Sequence, residues 1–336
     1  MSHTATTRPN HRPWVHTSRR GSSTGGVFRR AARTRRGRFG IILTGLVVLV
    51  AAIGPFVHPY SPTALVTLPF AAPTHDYLLG GDFLGRDALS RVLAGGWILL
   101  LMAAAATIVG VAVGCAAGVA AAYLRGSADT VIMRTVDVIL AFPQLVFALL
   151  LVSVVGPKLW LIVLAIGLSH APQVARVLRS VAIDISERPF IKSMELNGLH
   201  PARIMIEEIL PNLSTPIAVE LGLRLTFSIV VMSGLAFLGF GQAPPAPNWG
   251  YMISENRIGL LLENPWPVIV PAILIALLTI GTNTFTDAVA RVSMGAAGRH
   301  DRVATVMSAS LGSDPRSAGL IDGLVAAESG HARDEQ

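Results

Sequence analysis

The stretch VARVLRSVAIDISERPFIKSMELNGLHPARIMIEEILPNLSTP, residues 174–216, is a charged island between long apolar segments. Arg176, Arg179, Asp184, Glu187, Arg188, Lys192, Glu195, Arg203, Glu207 and Glu208 keep most of it out of hydrocarbon, because ionised side chains are expensive inside a bilayer. Gly198 can stop one short helix and turn the chain, since glycine adopts positive φ at little cost. Pro201 suits the first position of a second helix. Pro211, thirteen residues after Gly198, stops that helix from running unbroken into the next span. The stretch therefore reads as helix, turn, helix, held in water between two spans.

Working outward, the composition agrees. The 336 residues are 52% hydrophobic and 14% charged, with mean hydropathy +0.58, whereas soluble domains carry roughly 25% charged residues. Residues 92–124, 138–157, 225–254 and 264–286 contain no Asp, Glu, Lys or Arg, and about 20 apolar residues cross a bilayer as a helix. With 39–57 and 159–175, six spans are predicted: 39–57, 96–123, one from about 129 through 150, 159–175, 213–239 and 266–288. The lone Cys115 lies in an apolar run, so no intramolecular disulfide forms and compartment is not readable from cysteine.

Residues 1–38 hold ten arginines and no acid. Net charge +7 raises nucleic acid as a partner, but the charge is concentrated before the first span, which favours a membrane explanation and no nucleic acid. The arm is expected to be disordered, to contact anionic lipid and to hold the N-terminus in the cytoplasm. No small-residue cleavage site is evident after the first apolar run, which is therefore read as an uncleaved span rather than a signal peptide. The two long external loops carry only Arg86, Arg91 and Arg257 as basic residues, so the positive-inside rule fits six spans with both ends inside. Residues 293–336, polar and mixed in charge, are expected to be a disordered cytoplasmic tail.

Several positions stand out for their chemistry. In HDYLLGGDFLGRDALSRVL, 75–93, Asp82 and Asp87 suit turns and helix caps, and Gly85 a tight turn between them. No His or Cys stands at ligand spacing there, so no metal site is expected. Gly110, Gly114 and Gly118, four apart, predict close helix packing in lipid. Arg134 and Asp137 are three apart on one helical face and could pair. Pro143 kinks its helix, as packing detail or as hinge. His170 is read as a hydrogen-bonded structural group. Glu220 and Arg224, four apart with the acid first, form either a structural pair or a charged pathway lining. In LAFLGFGQAPPAPNWGYM, 235–252, Pro244, Pro245 and Pro247 stiffen the backbone and Trp249 suits an interface.

Four of these segments together resemble a known family. The 174–216 stretch is similar to the cytoplasmic coupling loop of ABC-importer permeases, with its distal Gly198 and closing Leu210-Pro211. Where that family has Glu-Ala-Ala, this chain has Lys192, Ser193 and Met194, followed by Glu195. The segment with Asp82, Gly85, Arg86 and Asp87 resembles "LGTDxLGRDxLSR". MRTVDVILAFPQL, with Asp137 and Pro143, resembles "MRxxDxxLAFPxL", and the Trp249-Gly250 segment resembles "LxFLGxGxxPPxPxWGxM". These are signatures of the C-type subunit of dipeptide, oligopeptide and nickel importers, and the likeness covers roughly 39–292.

The resemblance implies an all-α polytopic membrane protein with six transmembrane helices and the type I ABC importer permease fold. It implies a bacterial inner-membrane location, a homologous B-type permease, two ABC ATPase subunits and an extracytoplasmic binding protein. It makes 174–216 the ATPase dock, 75–93 a gating or receptor-facing element, 235–252 an external-loop signature, and Pro143 a hinge. No cofactor is expected in this chain. A P-loop reads GxxxxGK followed by Ser or Thr, and neither Lys158 nor Lys192 sits in one, so ATP and Mg would be bound by the partner ATPases. No nucleophile–base set or HExxH is present, which argues against enzymatic activity. The alternatives are a nickel or other small-solute permease, or an ATP-independent channel or secondary transporter. The latter would have no use for an ATPase dock.

Overall fold

The computed structural model describes residues 24–241, 245–262 and 264–311. Pro244, Arg8, Arg12, Arg19, Arg20 and the sequence after Leu311 lie outside the described residues. The chain is an all-α polytopic membrane protein. Five helical segments are long and apolar enough to cross a membrane: Arg35–Val57 (α2), Ala88–Leu124, Leu159–Ser186 (α7), Ser214–Phe237 (α11) and Trp266–Met294. Ala88–Leu124 comprises α3 (Ala88–Ala94) and α4 (Gly96–Leu124). A bent pair, α5 (Gly126–Leu140) and α6 (Gln144–Val155), makes six when counted as one span.

The bundle is built on backbone contact. Gly110, Gly114 and Gly118 of α4 lie against Gly167, Ala171 and Ala175 of α7, so the two helices run parallel. A Cβ on Gly114 would stand 2.5 Å from the Ala171 carbonyl oxygen. Such approach is what small residues at four-residue spacing allow in lipid. The last helix, α13 (Trp266–Leu311), packs antiparallel to α2, where a Cβ on Gly40 would meet the Phe285 backbone at 2.7 Å.

The third span is broken rather than kinked, with 83° between α5 and α6. Pro143 has no N–H to donate and its ring collides with the carbonyl four residues back. The helix therefore ends at Leu140, and Pro143 caps the next one at φ −57°, ψ 128°.

The residues described within the two terminal segments are helical. Thr24–Arg33 forms a helix, α1, with Val27 and Ala31 buried and Phe28 stacked 6.2 Å from Phe285 of α13. The apolar face outweighs the arginines of the opposite face. Likewise α13 continues past the span to Leu311, through a sequence rich in Ala, Met and Val with no proline to stop it.

By connectivity the bundle has two ends. One gathers residues 58–95, α12 (Trp249–Glu255), the 3₁₀ turn Arg257–Leu260 and the start of α13. The other gathers α8 (Pro189–Leu196), α9 (Pro201–Ile204), a π-helical turn Met205–Ile209 and α10 (Leu210–Asn212).

Candidate coupling loop and polar sites

The loop end is assembled as the sequence predicts, with one difference. Pro189 opens α8 and Gly198 closes it at φ +74°; the Gly198 N–H donates to Glu195 O (3.0 Å) and the Leu199 N–H to Met194 O (3.2 Å). These bonds satisfy carbonyls that the helix end leaves open. His200 caps α9 by accepting from the Ala202 N–H at 3.2 Å. The difference lies at Pro211, which does not break the second helix outright. The π turn Met205–Ile209 widens the backbone just ahead of it, and the break comes at Leu213.

Ile191, Ile204, Ile209 and Leu213 are fully buried and pin this end to α4 and α7. The opposite face of α8 is open. Lys192, Ser193 and Glu195 are exposed, Met194 is half-buried, and Leu196 is 89% exposed. Ile206 and Phe190 are exposed as well. Leu210 is half-buried and Pro211 exposed.

Inside the bundle the polar groups join helices. Arg224 donates to Glu220 at 3.1 Å, as the four-residue spacing predicts, and also to Gln173 of α7. Its guanidinium lies 5.5 Å from the Phe227 ring centroid. His170 is fully buried and bonded, 3.0 Å from Ser228 of α11 and 3.1 Å from Gln144 of α6, while Thr107 of α4 donates to Ser228 at 3.1 Å. Four helices therefore meet around one imidazole. Asp137 pairs with Arg176 of α7 at 2.7 Å and not with Arg134, while Asp129 takes both arms of Arg179 at 2.6 and 2.5 Å. The partners lie across helices because α5 lies along α7.

At the other end, Asp82 accepts from the Leu84 and Arg86 N–H groups (2.9 and 2.8 Å) and from Arg86 Nε at 2.6 Å. Gly85 supplies the turn at φ +84°. Asp87 caps α3 through the Ser90 N–H (2.8 Å) and hydroxyl (2.6 Å). Arg86 and Arg91 converge on Glu255 of α12 at 3.3 and 2.5 Å, all three being buried. Burial pushes the Glu255 carboxyl above its ordinary value, against the pull of Arg91 and Arg86. Trp249, with no exposed surface, donates to Val92 O at 2.7 Å. A Cβ on Gly250 would stand 2.5 Å from Ser233 O, so the backbone of α12 lies directly on α11.

Residues 110–292 match the family described as the binding-protein-dependent transport system inner membrane component. The dipeptide transport system permease protein DppC of Haemophilus influenzae is 31% identical over 262 residues, 76% of this chain and 88% of its own length. A Brucella suis protein provisionally named a peptide transport system permease is 31% identical over 260 residues, 77% of this chain and 87% of its own. A Brucella ovis protein provisionally named a peptide permease is 30% identical over 271 residues, 79% and 90% respectively. This chain belongs to that family of ABC-importer permeases.

In the permease, sequence reasoning missed Glu255, Asn256 and Asn264. Asn256 accepts from the Phe83 N–H at 2.9 Å, and Asn264 donates to Leu79 O and Gly81 O at 2.9 Å, tying loops about 180 residues apart. One signal was available. Glu255 is the first charge after a 30-residue charge-free run.

Proposed function

We propose that this permease is the C-type transmembrane subunit of an ATP-driven importer of di- and oligopeptides. It forms half of the translocation pathway with a B-type permease. Two separate ATPase subunits bind ATP and Mg and drive alternating access, and an extracytoplasmic binding protein delivers substrate. The chain sits in the bacterial inner membrane with both termini cytoplasmic, and it catalyses no reaction itself.

The carrying observation is α8: a short helix pinned on one side by Ile191, with Leu196 turned fully to solvent beside charged neighbours. A helix presenting one apolar anchor is suited to a groove on a partner, and a channel or secondary transporter has no use for it. The relatives named for peptides favour peptide over nickel as substrate. In this reading Lys192, Ser193, Met194, Glu195, Gly198, Leu210 and Pro211 form the ATPase dock. The break at Pro143 with Asp137 beside it is the hinge, and Glu220–Arg224 lines the path. The cap segments containing Asp82, Gly85, Arg86, Asp87, Trp249 and Gly250 face the binding protein.

The test is mild-detergent purification of the tagged chain from its host, followed by mass spectrometry and reconstitution with labelled peptides. Recovery of a second permease and two P-loop ATPases with ATP-dependent peptide uptake is expected. Solute movement by a stable chain without ATPases would overturn the reading. ATP-dependent uptake of nickel but not peptide would replace only the substrate. Arg224→Gln with unchanged uptake and ligand preference would remove the charged lining.

A further inference from the structure

Between α1, α2, α4, α11 and α13 runs an apolar groove of ≈ 540 Å³. Its walls include Phe28, Ile41, Val48, Ile108, Leu225 and Phe285. From Ile41 to Val48 it follows α2 for about 10 Å at 1.5 Å per residue. Its mouth is set by α1, which turns Phe28 into the groove, while the neighbouring Arg29, Arg30 and Arg33 are exposed. Arg35, Arg36 and Arg38 follow within one turn, also exposed. Among the described residues none of these six guanidinium groups has an acidic partner or hydrogen bond within the chain. Arg29 and Arg33 stand at i,i+4, where like charges repel.

We propose that this groove is a binding site for an anionic phospholipid, its acyl chain lying along α2 and its phosphate held by the arginines of α1. Two observations that are separate in sequence require the same ligand. The groove is lined mainly by apolar side chains, with the hydroxyls of four threonines among them, and the exposed arginines flank its lining residues Phe28 and Ile41 in sequence. A partner protein could fill the groove, but it would also have to bring several acids to this mouth, at the point where a membrane span begins. Lipid headgroups are already there. Because α1 packs on α13 and carries Phe28 over Val219 and Phe285, an occupied site would press α1 onto α11 and α13. α11 is the helix that leaves the coupling loop, so bound lipid would stiffen the same segment that α8 is read to move.

Gly45 gives a variant that spares the fold. It lines the groove, and a Cβ placed there meets nothing within 4 Å. Leucine is also a better helix former than glycine. The experiment is native mass spectrometry of the full chain, with the subunits that co-purify, titrated with phosphatidylglycerol and with phosphatidylcholine. The wild type should retain phosphatidylglycerol preferentially. Arg29→Gln/Arg30→Gln/Arg33→Gln should weaken that retention at least about tenfold while sparing phosphatidylcholine, since each arginine near a lipid surface contributes about 1 kcal/mol. Gly45→Leu should weaken both lipids, with thermal stability equal to or above wild type. Equal retention of the two lipids by the wild type would overturn the proposal. So would a photo-crosslinker at position 45 that captures another subunit instead of lipid.

Discussion

The two extramembrane ends solve opposite problems with similar residues. At the cap end, the side chains of Arg86, Arg91, Asp82 and Glu255 are all buried, and while Asp82 holds Arg86 locally, the bonds from Arg86 and Arg91 to Glu255 join residues more than 150 positions apart. At the loop end, Arg203 and Glu207 pair at 2.7 Å within one helical turn and remain half-exposed or more. Most side-chain hydrogen bonds between Ser193 and Asn212 stay within four residues, the contact of Tyr123 with Glu195 being the longer one. The cap is therefore finished by its own chain. The loop has local form, anchored by isoleucines, but leaves Leu196 and Ile206 in water. An incomplete surface on a rigid base is what a docking element requires, whereas a completed one gives a fixed wall.

The largest expected effect separates the two kinds of charge. Glu255→Ala strands Arg86 and Arg91 in the cap with Asp82 as their one remaining acid, and breaking a buried pair costs about 3–5 kcal/mol. The detergent-purified chain should melt well below wild type, with less of it in the membrane. Arg203→Ala, at the exposed pair, should leave the melting temperature unchanged, as surface pairs contribute little. Equal losses in the two variants would mean that the cap is not internally completed.

The sequence made the loop end legible and the cap end only partly so. Gly198, Pro189 and Pro201 act through local backbone rules, and local rules are readable from neighbours in the chain. The span count and the Gly110–Gly118 seam followed from apolar length and spacing. Glu220 and Arg224 pair within one turn, and they too were visible. The Asp137–Arg176 and Arg86–Glu255 pairs are tertiary, and no spacing encodes them. The 83° break at Pro143 is sharper than the expected kink, and both adjoining segments are held to α7, α5 by ion pairs and α6 through Gln144, which reaches His170. Helix α1 was not legible in composition, where ten arginines outweigh Val27, Phe28 and Ala31, because those three act through packing.

A smaller effect tests whether Gly198 is needed for its backbone or for its size. A Cβ there would meet nothing within 4 Å, yet φ is +74°. The cost of substitution is therefore conformational, about 1–2 kcal/mol for an ordinary residue in that region. Asparagine enters it far more readily than a β-branched residue. Gly198→Val should uncouple ATP hydrolysis from uptake with a modest loss of stability, while Gly198→Asn should retain most uptake. Loss of uptake in both would show that the partner needs a bare backbone at this point. Leu196→Asp should leave the melting temperature unchanged, because Leu196 touches little of its own chain, and should still prevent co-purification of the ATPases.

The smallest effect is expected at Lys192. Lys192 lies on the open face of α8, with no ion pair among the described residues, one residue after buried Ile191. Its replacement by glutamate disturbs no internal contact, and at physiological salt an exposed charge is screened within about 8 Å. If α8 docks through the shape set by Leu196 and the Gly198 turn, Lys192→Glu should change ATP-driven uptake by less than about threefold, the size of a surface electrostatic term. It should also leave subunit recovery intact. Loss of the ATPases from the purified complex would instead make Lys192 a charge-specific contact, complementary to an acid on its own partner, and would move the centre of the dock from the tip of α8 to its middle.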